Sequence, residues 1–530
     1  MKSLMKKVFA AAAAIATVFG LAATTVATAN AADNATLTVS TTDAKFVGKT
    51  VNAYKMFSAT VGGEGANKAV SYTLTDEWKP FFKNSVGLTG VTDENVNDKA
   101  NDYVSKLKDS TLVAFATKAS NWAQTKANNI TADATATVSA DASNGKYTAT
   151  FTGLGYGYYV VAVPGATLAN AKSQYATLVS VHSTKVDADI KGDLPTVDKK
   201  VQVDGTGKDA TDAKIGDTLT FTLTSTIPDM SAYDTYTFNF KDTLSKGLTF
   251  GQVKSVKVEN VTLTENTDYT VTTPTASNNN TLTVAMKDFK TKQQANAGKK
   301  ITVTYTATLN ENAVVGGAGN VNSAKIQYSN NPSTNGTGES EPSKVRVFTY
   351  GFTVDKYTGD QYTDAATRLA GAEFTLAHKD GSAISFVQVS AGSATANAVY
   401  RVAKAGETGT TTITTPANGK VVFEGLKNGE YTLTETKAPA GYNKLASAIG
   451  VKVNGQNNGT DTTNATVTIT YNNDNGNDYN QTASNGVIPV QNKSGAILPG
   501  TGGMGTIAFT VIGVLVIALG VAWTLKRKNA

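Results

Sequence analysis

Twice along this chain a lysine, an acid and an asparagine fall at positions that ought to face inward. Successive residues of a strand point to opposite faces, so residues of equal parity share a side. In FTVDK, Phe352 and Val354 face an apolar layer and carry Lys356 with them. In YTLTE, Tyr431 and Leu433 do the same for Glu435; in VIPVQN, Ile488 and Val490 do it for Asn492. Earlier, Val197 and Val201 flank Lys199, Phe238 and Phe240 lead to Asp242, and Asn322 shares its face with Ala324, Ile326 and Tyr328. Lys200 and Asn320 are expected to point outward and are the second choices. An amine, a carboxyl and a carboxamide in an apolar layer are costly unless they satisfy one another. The plainest outcome is a buried salt bridge, or a lysine that snorkels to water beside a chance asparagine.

Other chemistries have little to work with. The chain has no cysteine and only two histidines, His182 and His378. A zinc-ligand cluster and a Cys/His nucleophile are therefore excluded. No Gly-rich phosphate loop sits between a strand and a helix. A wall-attached hydrolase would need a carboxylate dyad, and no constellation of that kind stands out. No cofactor and no metal are expected.

The elements that must position these residues are strands. Thr, Val and Tyr alternate through 217–228, 235–240, 300–309 and 465–471, punctuated by Gly- and Asn-containing turns. Residues 95–128 differ: Ala/Lys-rich text with Tyr103, Leu107 and Phe115 near helical spacing predicts one or two helices. Turn-rich text at Gly192–Pro195 and between Asn330 and Ser343 marks linkers. The fold class expected is mainly β: tandem immunoglobulin-like β-sandwiches in an elongated rod, the first domain with a helical insertion. Its domains are 32–193, 194–344 and 345–497.

An internal repeat ties the first domain to the third. FTGLGYGYYVVAV (Phe151–Val163) aligns without gaps to FEGLKNGEYTLTE (Phe423–Glu435), with Phe, Gly, Leu, Gly and Tyr in common. The alignment places Val163 where Glu435 stands. Thr41 takes the place of the lysine, and the last strand, with Val186, Ala188 and Ile190 inward, offers no asparagine.

Both ends read as targeting segments. Lys2, Lys6 and Lys7 precede an apolar run and Ala29-Asn30-Ala31 is a small-x-small site, so residues 1–31 are expected to be a secretory signal peptide. Residues 498–530 open with Leu498-Pro499-Gly500-Thr501-Gly502, continue through an uncharged stretch from Gly505 to Leu525, and close on Lys526-Arg527-Lys528. At about 1.5 Å per residue that stretch can cross a hydrocarbon core of roughly 30 Å, with the basic cluster cytoplasmic. The formal net charge of +6 is matched by Lys2, Lys6, Lys7, Lys526, Arg527 and Lys528 alone. The remainder is close to neutral, and no nucleic-acid partner is implied.

Several stretches resemble known families. LPGTG, a membrane stop and a basic tail resemble the cell-wall sorting signal of Gram-positive surface proteins, in which a sortase cleaves between Thr and Gly and passes the Thr carbonyl to an amine. YTLTETKAPAGY resembles the E-box of collagen-adhesin B-type domains, and VQNKSG fits beside it. In that family a lysine attacks an asparagine amide, ammonia leaves and an isopeptide bond remains; apolar burial would neutralise the lysine and keep the acid protonated. The resemblance implies Lys356, Asn492 and Glu435 for those roles. PTVDKK, FNFKDTLSKGL and NVNSAKIQYSNNP resemble the middle domain of sortase-assembled backbone pilins, implying Lys199 joined to Asn322 with Asp242 assisting. No bond of the third domain's type is expected in the first.

Over nearly its whole length the chain is similar to major pilins. The function implied is a shaft subunit of a covalent, adhesion-supporting pilus, in which Thr501 is joined to Lys191 of the next subunit; Lys191 lies in VDADIKGDLP, which lacks the family's Tyr-Pro, and Lys185 is the reserve. The partners implied are pilin-specific and housekeeping sortases, identical subunits, minor tip and base pilins, peptidoglycan, and a host glycan or matrix protein. The chain would be a sortase substrate rather than an enzyme, secreted and anchored to the cell wall. The alternative is a monomeric wall-anchored adhesin.

Overall fold

The computed structural model describes residues 34–62, 69–141, 145–166, 176–190, 192–332, 336–363, 366–456, 465–473, 478–495, and 513–519, 521, 523 and 524. Among them the chain is mainly β and divides into two compact units, one running up to Thr349 and taking in the ends of the Gln456–Thr466 segment, the other made of the rest from Tyr350 onward. The first 33 residues, Lys191 and the LPGTG pentapeptide lie outside the described residues. No helix among those described is long and apolar enough to cross a membrane.

The first unit holds two sandwiches. In the first, Ala35–Thr41 lies between Lys146–Leu154, antiparallel, and Lys185–Asp189, parallel. The facing sheet runs Ala69–Leu74, Thr50–Gly62, Gly157–Ala162, Ala176–Val181. Helices Lys79–Asn84, Val96–Ser105 and Asp109–Gln124 cover that sheet's outer face, where Trp78, Phe81, Phe82 and Phe115 pack on Phe57, Tyr158 and Val160. Gly157–Ala162 is thus buried on both sides and reads as an unbroken apolar run, whereas its repeat partner Gly429–Lys437 alternates. The sequence anticipated the second and third helices; the first, with Pro80 in its opening turn, escaped it.

In the middle sandwich one sheet carries, in order, Asp198–Val203, Thr218–Thr226, Lys300–Leu309 and Leu248–Val258. The other carries Ser343–Phe348, Asn320–Ser329, Phe238–Leu244 and Thr281–Met286. Ser343–Phe348 pairs antiparallel with Asn320–Ser329, so the chain leaves this sandwich at Thr349 rather than at 344.

In the second unit Tyr350–Thr358 lies between Lys420–Leu426, antiparallel, and Val487–Gln491, parallel. The facing sheet is built on Glu373–His378, Gly429–Lys437, Ile449–Gln456 and Thr466–Asn472. This pairing repeats that of the first sandwich, down to a register irregularity at the start of the first strand. The repeat also has a physical core. Gly153 and Gly425 adopt φ of 73° and 82°, a backbone region that favours glycine. Tyr159 and Tyr431 each donate a hydrogen bond to the carbonyl four residues earlier, Gly155 at 2.7 Å and Lys427 at 2.6 Å. A net hydrogen bond is worth about 1 kcal/mol. Tyr159→Phe and Tyr431→Phe are expected to lower stability by about that amount each, read as earlier denaturant midpoints with unchanged slopes; unshifted midpoints would show that these corners contribute only packing.

Candidate functional site: two buried lysine–asparagine centres

The third-domain centre is assembled from the strands that parity indicated. Lys356, Glu435 and Asn492 are all buried. Lys356 Nζ lies 3.4 Å from Glu435 Oε1 and donates to the Val490 carbonyl at 3.2 Å. Asn492 Nδ2 donates to Glu435 Oε2 at 3.0 Å and to the Asn443 carbonyl at 2.9 Å. The Leu445 amide donates to the same carboxylate oxygen at 2.8 Å, so the loop after the E-box text fixes the acid. The acid therefore touches both the amine and the carboxamide nitrogen. Asn492 lies just past Val487–Gln491, its amide bonded to the Tyr357 carbonyl at 3.0 Å, beside the strand that carries Lys356. Lysine and asparagine sit on the first and last strands of one sheet.

The middle-domain centre has the same residue types in another arrangement. Lys199, Asp242 and Asn322 are each fully buried. Lys199 Nζ donates to Asp242 Oδ2. Lys199 belongs to one sheet, whereas Asp242 and Asn322 stand on adjacent strands of the other, where Leu244 is the register partner of Asn322. This cluster spans the sandwich instead of joining neighbouring strands. Tyr305, which parity reasoning passed over, sits in the middle: its phenol donates to Asp242 Oδ2 at 2.5 Å and accepts from Asn322 Nδ2 at 2.6 Å and from Lys199 Nζ at 2.9 Å. The clue was available in KITVTYTATL, where a tyrosine stands among inward apolar residues and its hydroxyl needs a partner.

Burial is the dominant influence on both amines. It lowers the pKa of Lys199 to about 8, against the opposing pull of Asp242, and that of Lys356 to about 8, against Glu435. Lys199 Nζ also lies 5.1 Å from the Phe221 ring centroid and 5.2 Å from that of Tyr305. The asparagine side-chain oxygens Oδ1 of Asn322 and Asn492 accept no hydrogen bond. An amine that deprotonates near neutral pH beside an amide and an acid can act as a nucleophile.

The second choices separate. Lys200 is half-exposed and paired with Asp198 and Asp209, at 3.2 and 2.6 Å. Asn320 was expected to point outward and is instead buried, because it shares the parity of Asn322. Its side chain closes a turn, accepting from the Val314 amide at 2.9 Å and donating to the Val347 carbonyl at 3.1 Å. Sequence reasoning also missed Asp355, buried next to Lys356 by Arg368 at 2.6 Å and Tyr362 at 2.9 Å. In the first domain Val163 is buried where Glu435 stands, and Thr41 pairs with Tyr147 at the strand's end. Lys185 is exposed. Among the described residues no group of His, Asp or Glu is arranged to hold a metal ion.

Residues 215–332 match the model of a Gram-positive pilin backbone subunit 2, Cna-B-like domain, and residues 360–468 that of a prealbumin-like fold domain. The chain is a relative of the Gram-positive backbone pilins. The first match falls within the middle sandwich and the second within the sandwich that carries the E-box text. A trypsin-resistant surface T6 protein of Streptococcus pyogenes serotype M6 is 26% identical over 279 residues, 48% of this chain and 44% of that protein. The chain thus spans under half the length of that relative. The solved T6 backbone pilin of serotype M6 Streptococcus pyogenes is 18% identical, with 87% of this chain and 99% of that one covered and a TM-score of 0.47. The full-length major pilin SpaD from Corynebacterium diphtheriae is 20% identical, with 88% and 98% covered and a TM-score of 0.40.

The depressed lysines carry a pH signature. In Asn492→Ala, Lys356 is expected to stay buried as a free amine beside Glu435. Its folded amine titrates near 8 and its unfolded amine near 10.5. Between those values the unfolded chain binds more protons, so stability must rise with pH. Denaturant unfolding of Asn492→Ala is expected to show this rise and Lys356→Met to lack it; parallel profiles would contradict the buried-amine assignment.

Proposed function

We propose that this chain is the structural shaft subunit of a covalent Gram-positive cell-surface pilus, held together internally by Lys199–Asn322 and Lys356–Asn492 isopeptide bonds. The observation that carries the reading is that two sandwiches of different build each enclose a lysine amine, an acid and an asparagine amide. In each, the neutral amine attacks the asparagine carbonyl, the acid moves the protons, and one ammonia leaves. Asp242 and Glu435 assist a single intramolecular event, so the chain is no turnover enzyme. The three-domain division, with its second boundary moved from 344 to Thr349, belongs to the same proposal.

The bonds differ in mechanical effect. Lys356–Asn492 ties the first and last strands of one sheet, so tension cannot unzip them. Lys199–Asn322 pins one sheet to the other. As an analogy, a disulfide closing a loop of about 100 residues is worth roughly 4–5 kcal/mol in the chain-entropy model. Assembly uses the two ends: residues 1–31 direct export, residues 498–530 hold the chain in the membrane, and a pilin sortase passes the Thr501 carbonyl to Lys191 of the next subunit. A housekeeping sortase joins the last subunit to peptidoglycan, with minor pilins at tip and base. Adhesion to a host glycan or matrix protein would use surface loops.

Intact mass measures the internal bonds. The exported chain should be lighter than its sequence by two ammonia molecules, and Lys199→Ala and Lys356→Ala by one each; an unshifted mass overturns the isopeptide reading. Expressed with its pilin sortase, the chain should form a ladder of covalent multimers that survives boiling in detergent, and Lys191→Ala should abolish it. A persistent ladder would exclude Lys191, and no ladder from the native chain would leave a monomeric wall-anchored adhesin.

A further inference from the structure

We infer that Tyr305 is a catalytic residue of the middle domain, its phenol relaying the proton from Asp242 to the departing nitrogen of Asn322. This rests on the isopeptide reading above and adds a residue, with a division of labour, that the family resemblance did not supply. The two centres pose the same problem with different reach. In the third domain Glu435 contacts the Asn492 nitrogen directly, at 3.0 Å. In the middle domain the acid is the shorter aspartate, and no hydrogen bond among the described residues joins it to Asn322. Tyr305 fills that gap: one oxygen donates to Asp242 and accepts from both nitrogens that exchange places on the carbonyl carbon.

The position of the phenol is well determined. Lys300–Leu309 presents Ile301, Val303, Tyr305, Ala307 and Leu309 to the core, and all are buried. The Tyr305 ring stacks on Phe221 with centroids 5.3 Å apart and planes 17° from parallel. Burial, with the neighbouring Asp242, holds the phenol well above its ordinary pKa, so it stays protonated and able to donate.

The step balances. Lys199 first gives a proton to Asp242, leaving a neutral amine and a neutral carboxylic acid. Nζ attacks Cγ of Asn322 and a new Nζ–Cγ bond forms. As the Cγ–Nδ2 bond breaks, Tyr305 passes its proton to Nδ2 and takes one from Asp242. Asp242 recovers a proton from the new amide nitrogen as it sheds its excess hydrogen. The products are a secondary amide, one ammonia, and Tyr305 and Asp242 as protonated as before the attack.

The test is a time course of bond formation in the full exported chain made by cell-free synthesis, read by intact mass and peptide mapping. Tyr305→Phe keeps the stacked ring and lacks only the oxygen. It should slow the Lys199–Asn322 bond by about 100-fold or more, the range of a positioned proton donor, while Lys356–Asn492 forms at the native rate in the same molecules. A fluorinated tyrosine at position 305 keeps the hydrogen bonds and acidifies the phenol, so the rate of the middle bond and its pH profile should both shift. Native-rate bonding in Tyr305→Phe overturns the relay, and so does a native rate and profile in the fluorinated chain. If the native chain forms no Lys199–Asn322 bond, the isopeptide reading itself fails and the relay falls with it.

Discussion

A lysine amine stripped of water beside a carboxyl is the constraint on which the rest of this structure depends. Burying an ammonium is costly, and its attraction to a carboxylate recovers that cost only when the geometry is good. Apolar side chains of similar volume would stabilise either sandwich at least as well, so stability alone is a poor reason to keep Lys199 and Lys356 inside. Reactivity is a better one. The same desolvation that penalises the charge brings each amine to a pKa of about 8, and the neutral form is the one that attacks a carbonyl. Fold and chemistry thus impose one requirement: an apolar layer closed to water, with an asparagine within it.

The two centres meet that requirement through different topology. In the third domain, lysine and asparagine occupy first and last strands paired in parallel, and the acid reaches both from the facing sheet. In the middle domain, acid and asparagine share a sheet, the lysine faces them, and a tyrosine spans the remaining distance. The first domain repeats the third domain's pairing with Thr41 and Val163 in place of the lysine and the acid, so the strand layout does not depend on those side chains. A chain without cysteine has no disulfide with which to stiffen its sandwiches.

Much of this was legible in the amino-acid sequence because strand parity is a strict rule. Phe352–Val354–Lys356 and Tyr431–Leu433–Glu435 each follow a period of two, and every inward residue they indicated is buried. The repeat was legible because Gly153, Gly425, Tyr159 and Tyr431 answer local demands of φ and hydrogen bonding. Asn320 was misplaced although parity itself puts it beside Asn322. Tyr305 was missed because Lys199 and Asp242 come from strands distant in sequence, and a periodicity names the face a residue occupies without naming its neighbour across the core. Asp355 was missed because it lies on the face opposite Lys356, where the nearby Tyr362 and Arg368 cover it. The helices on the first domain's outer sheet illustrate the same limit, since nothing local in Gly157–Ala162 shows what covers its second face.

The central claim is that these buried side chains are covalently joined, and sequencing the junctions tests it most directly. Tandem mass spectrometry of a protease digest of the exported chain should find two branched peptides, one joining the Lys199 segment to the Asn322 segment and one joining Lys356 to Asn492. Each should weigh the sum of its arms less one ammonia. Recovery of all four segments as separate linear peptides, with lysine and asparagine intact, would contradict the account.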